Sequence, residues 1–97
     1  MIVNTLKNIE DNINLICCGL ANDDIYNETY NFLEEIINEI YYKQYEIKKK
    51  YVYDAKIELV AILRDIQNKK LNLTRDIMEE IVNEFNFIDS EIKKGIH

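Results

Sequence analysis

Proline and tryptophan are absent from these 97 residues, histidine and serine each occur once, and glycine stands only at 19 and 95. Without proline, and with no glycine between 20 and 94, the chain lacks its two strongest helix breakers, so helix can run almost unbroken. His97 is the only imidazole and sits at the chain end. The Glu-x-x-His ligand pairs of di-iron bundles therefore cannot be built, and Ser90 or a cysteine nucleophile would lack its base. Cys17 and Cys18 are adjacent, too few for a tetrahedral zinc set and too strained to bridge to each other. They are expected as two small buried hydrophobes beside Leu15, Ile16 and Leu20, and reduced thiols suit a cytoplasmic location. No catalytic residue, metal ligand or cofactor motif emerges, and the chain reads as a non-enzyme.

Long apolar runs are missing too. Ile13 to Leu20 is too short to span a membrane, and Glu10 and Asp11 before it are not the basic start of a signal peptide. What remains is a chain 47% apolar and 31% charged, read as one helical domain over residues 1–97. Its net charge of −6 disfavours direct nucleic-acid binding and suits a protein partner with a basic surface. Abundant Ile, Asn, Lys and Tyr with little Ala and Arg fit an AT-rich genome, such as a low-GC bacterium or its phage.

Periodicity predicts an all-α fold of four helices near 2–18, 22–49, 52–68 and 74–94. Ile2, Leu6, Ile9, Ile13 and Ile16 mark one face of the first, and Gly19 stands where a left-handed cap ends it, with Leu20 expected to pack back on Leu15. Asn22 is placed to cap the second, which carries Ile25, Leu33, Ile36, Ile40 and Ile47 inward. Ala55, Leu59, Ile62 and Ile66 line the third. Thr74 caps the fourth, with Leu73 and Met78 as its hydrophobic staple, and Gly95 ends it.

At an offset of 45, the 22 residues from Thr29 match those from Thr74 at ten positions, Ile36/Ile81 and Lys48-Lys49/Lys93-Lys94 among them. That match suggests two duplicated αα-hairpins, packed antiparallel, with the lysines 48–50 closing the first and a turn near 49–53.

Two groups of side chains stand out. Glu34, Glu35 and Glu39, with Asp54 and Glu58 on the next helix, are the one carboxylate set that could hold Mg²⁺, but Asn38 three positions after Glu35 breaks the Glu-x-x-Glu pair of MazG-like pyrophosphatases. Glu28, Glu35, Glu39 and Glu46 form one stripe that reads as a solvated face. All seven tyrosines lie between 26 and 53. Residues 43–56 hold five lysines against two carboxylates, a local +3 within the total of −6 that leaves −9 on the rest. Tyr41 and Tyr45 project away from the core direction beside Lys48; Lys49, Lys50, Tyr51 and Tyr53 share that end of the bundle.

The leading functional expectation is a noncatalytic protein-binding module of the inhibitor, immunity or anti-defence kind, acting by occupying a partner's surface through this Tyr/Lys region. In an acidic-mimic version, the glutamate stripe faces a basic partner. Alternatives are an oligomeric nucleotide binder, stacking a base on tyrosine and pairing phosphate with lysine, and a small structural subunit.

Overall fold

A computed structural model describes residues 2–43 and 47–95 of the chain. They form four helices, α1 (Ile2–Cys17), α2 (Asp23–Lys43), α3 (Lys49–Gln67) and α4 (Arg75–Gly95), and no strand among the described residues. Short connections make sequential helices antiparallel neighbours. Each packs on the next, and α1 meets α4 to close a ring; among the described residues the backbones of α1 and α3, and of α2 and α4, do not approach each other closely. The radius of gyration is 12.9 Å.

The helix ends follow from identifiable residues. Gly19 adopts φ 73°, its N–H donates to the Ile16 carbonyl at 3.0 Å, and the Leu20 N–H reaches back to Leu15 at 2.9 Å. That is the paired hydrogen bonding of a Schellman ending, which requires a left-handed residue at this point. The expected hydrophobic contact does not accompany it: Leu20 stays 73% exposed. Asn22 Oδ1 accepts the Ile25 N–H at 3.1 Å, and Thr74 Oγ1 accepts that of Ile77 at 3.3 Å, so both serve as N-caps. Leu73 and Met78, the staple pair, are half-buried.

α3 ends on the same hydrogen bonds as α1, but with Lys69 at φ 62° where α1 has glycine. The Lys69 N–H donates to Ile66 at 3.0 Å and the Lys70 N–H to Asp65 at 2.9 Å. Lys69 is the only non-glycine residue at positive φ among those described.

The core is built mainly from isoleucine and leucine: Leu6, Ile9 and Ile16 from α1, Leu33, Ile36 and Ile40 from α2, Val52, Leu59 and Leu63 from α3, Ile81, Ile88 and Ile92 from α4. The few buried polar groups are partnered. Thr29 Oγ1 donates to the Ile25 carbonyl at 2.7 Å, and Asn12 Nδ2 donates to Glu28 Oε1 at 3.3 Å across the α1–α2 seam.

Four further expectations need correction. Cys17 is half-buried and Cys18 exposed, because the helix phase that buries Ile13 and Ile16 turns position 18 outward. Residues 49–53 belong to α3 rather than to a turn, and Ile47 precedes α3 rather than lying in α2, though it still packs on the core. The lysines 48–50 therefore open a helix instead of closing one: Lys48 is the N-cap position of α3, with no side-chain cap, and Lys49 and Lys50 lie in its first turn.

The repeat explains that last error. α2 starts at 23 and α4 at 75, so their starts correspond at an offset of 52. The sequence match, at 45, is one heptad out. Seven residues are close to two helical turns, so the shift preserves the buried face while displacing the helix ends. Hence Ile36 and Ile81 are both core residues, although Lys48 and Lys93 stand at opposite kinds of helix end.

Candidate functional site

Around α3 the side chains sort by the 100° step of the helix. Val52, Ala55, Leu59, Ile62 and Leu63 are buried. One flank faces α2, where Lys56 pairs with Glu34 and Gln67 accepts a hydrogen bond from the Tyr30 hydroxyl at 3.1 Å. The other flank, carrying Tyr51 and Glu58, faces α4. Lys50 and Ile57 point away from both.

This sorting divides the tyrosine/lysine region. Lys49 reaches the α2 side, its ammonium 5.9 Å from the centre of the Tyr41 ring. Such a contact is worth about 0.5–1 kcal/mol at an exposed site. Tyr41 meets Tyr42 edge to face, with ring centres 5.4 Å apart and planes at 88°. The two rings remain 60% and 78% exposed. Tyr41 was legible as an outward residue; the approach of Lys49 was not, because it is made across the inter-helix connection. Lys48 is exposed at the α3 N-cap. Tyr45 and Glu46 lie outside the described residues. Tyr53 is half-buried and packs against the core, and Tyr51 sits on the far flank of α3, so neither joins the Tyr41 cluster.

Charge sharpens the distinction. Among the described residues no carboxylate pairs with Lys48, Lys49 or Lys50, and the first turn of α3 holds no acidic residue. Three unpaired ammonium groups thus stand at the positive end of a helix dipole, which costs a few tenths of a kcal/mol each and leaves a concentrated positive field. The glutamate stripe is partly committed within the fold. Glu28 accepts the Asn12 amide, Glu39 is half-buried, and only Glu35 of its described members is exposed with no partner; the neighbouring Glu34 is held by Lys56.

The remaining tyrosines are structural. Tyr26 is buried, and Tyr30 is half-buried under the Arg64 guanidinium, 5.7 Å from its ring centre. Burial raises the Tyr30 hydroxyl to about 12 despite the opposing effect of Arg64.

Two surface concavities flank α4. One, about 270 Å³, lies over the α1–α4 seam between Cys17, Arg75, Met78 and Val82. The other, about 300 Å³, is an α3–α4 cleft lined by Tyr51, Asp54, Glu58, Asn83, Glu84 and Phe87. Burial and the nearby Glu58 and Glu80 carboxylates raise the pKa of Glu84. Sequence reasoning missed this cleft; Phe87, an aromatic off the stripe of Ile81, Phe85, Ile88 and Ile92, was the available signal. Among the described residues no three His, Cys, Asp or Glu side chains converge as a metal-ligand set, and no helix is long and apolar enough to cross a membrane. No family model matches the chain, and no curated protein or solved structure matches it either, so the surface has to be read from its own chemistry.

Proposed function

We propose that this chain is a noncatalytic protein-binding module that acts by occupying a partner's surface, with Tyr41, Tyr42 and Lys49 at the centre of contact. One observation carries the reading: two neighbouring tyrosines 60% and 78% exposed beside a lysine that has no carboxylate partner among the described residues. Tyrosine suits such a role because its rigid ring buries a large area at little entropic cost while its hydroxyl still hydrogen-bonds. Neither ring enters the core, and the Lys49 contact adds only about 0.5–1 kcal/mol to the bundle. An inhibitor, immunity or anti-defence protein works in this way, without chemistry of its own. The glutamate stripe is the weaker surface, since Glu28 and the adjoining Glu34 already serve the fold.

The reading is tested by placing a photo-crosslinking residue at Tyr42 and, separately, at Glu35, both exposed on α2. One protein crosslinked from position 42 and not from position 35 is the expected result. Crosslinking from 35 alone would transfer the site to the acidic stripe, and a small-molecule adduct at 42 in place of a protein would favour the nucleotide-binding alternative.

A further inference from the structure

The outer face of α3 carries a second unpartnered surface, about 100° around the helix from Lys49. Lys50, Asp54, Ile57 and Glu58 are exposed along it, Ile57 by 61%, and it is flanked by Tyr51 and, from α4, Phe87, exposed by 55% and 40%. Both signs of charge stand unpaired there. Among the described residues Lys50 meets no carboxylate, and Asp54, Glu58 and Glu84 meet no cation. A surface with a cation at one end, carboxylates toward the other and apolar groups between is complementary to itself.

We infer that this face binds a second copy of the chain, α3 against α3, about a two-fold axis near Asp54. A two-fold axis makes the paired helices antiparallel and every contact reciprocal. Lys50 of each copy then lies opposite Glu58 of the other, and Tyr51 opposite Ile57, since both pairs are symmetric about position 54. Glu58 and Glu84, which repel each other within one chain, gain a cation from the second. Asp54 lies nearest the axis and meets its own counterpart, a local repulsion within an otherwise favourable interface. The strip from Lys50 to Ala61 spans about 17 Å at 1.5 Å per residue. The contact is therefore smaller than the roughly 1,200 Å² lower limit of stable complexes, and association is weak and salt-sensitive.

Sedimentation of the full chain at stepped protein concentration tests this. Association that weakens with added salt is expected, and a monomer up to about 1 mM overturns the inference. Lys50→Glu and Glu58→Lys should each weaken self-association about tenfold or more, by placing like charges opposite one another. A mixture of these two variants should associate again, because each reversed residue then faces an opposite charge in the other chain. Asp54→Asn should tighten association, and Ile57→Asp should weaken it. All four positions are exposed, and circular dichroism checks that the variants fold. Self-association indifferent to both charge reversals, or no recovery on mixing, would place the contact elsewhere. Tyr41→Ala with Tyr42→Ala should leave the dimer intact, so failure here and failure of the proposed partner site are read separately.

Discussion

Lys69 holds the left-handed conformation that glycine takes at the equivalent point after α1. For an L-residue that conformation costs roughly 1–2 kcal/mol, through the crowding of Cβ against the carbonyl oxygen. Replacing Lys69 with glycine removes the strain but enlarges the freedom of the unfolded chain, a loss of about 0.5–1 kcal/mol. The net expectation is a gain of about 0.5–1 kcal/mol, or about 2–8 °C in Tm for a domain of this size. Lys69 is exposed and makes no ion pair among the described residues, so little else changes. Gly19→Ala is the mirror experiment. A Cβ there meets nothing within 4 Å, so backbone strain of about 1–2 kcal/mol, less the same unfolded-state term, leaves a net cost of about 0.5–1 kcal/mol. Urea unfolding followed by circular dichroism at the helix band reads both variants. A Lys69→Gly variant no more stable than the parent, or a neutral Gly19→Ala, would refute the reasoning.

Ile36→Ala and Ile81→Ala, at fully buried and repeat-matched sites, should each lose about 2–5 kcal/mol in the same assay, whereas Glu35→Ala should change stability by no more than about 0.5 kcal/mol. Equal small losses at all three would contradict the buried faces. Glu84 has its folded-state pKa raised, by burial first and by Glu58 next, so the folded chain binds protons more readily there than the unfolded chain. Its penalty is fully present above the raised pKa, shrinks as pH falls through it, and is gone below the unfolded-state value. Glu84→Gln should therefore be more stable than the parent at neutral pH, with the difference vanishing on acidification; a pH-independent difference would contradict the cleft electrostatics.

The parts of this fold that were legible are those fixed by one or two local residues. Gly19, Asn22 and Thr74 each supply the cap their helix needs, and the isoleucine spacing of α1 and α4 admits one buried face. The start of α3 carries no such signal. Lys48 offers no capping side chain, and lysines in a first turn oppose the helix dipole, so local rules place them at a helix C-terminus. Packing overrides that preference by burying Val52, Ala55 and Leu59. The end of α3 was legible where its apolar spacing gives way to the polar run Gln67 to Lys70, but the left-handed turn there was not, because Lys69 has no intrinsic bias to that region. At the surface, the outward direction of Tyr41 followed from the helical wheel, but its lysine neighbour depended on where the chain reverses.

The central claim is that Tyr41 and Tyr42 serve a partner and not the bundle. Its most direct test is Tyr41→Ala combined with Tyr42→Ala, measured for thermal unfolding and for affinity to the protein crosslinked at position 42. Unchanged melting with affinity lowered at least tenfold is expected, each lost tyrosine anchor costing about 1–2 kcal/mol or more. Unfolding of the double variant, or full affinity retained by it, would contradict the claim.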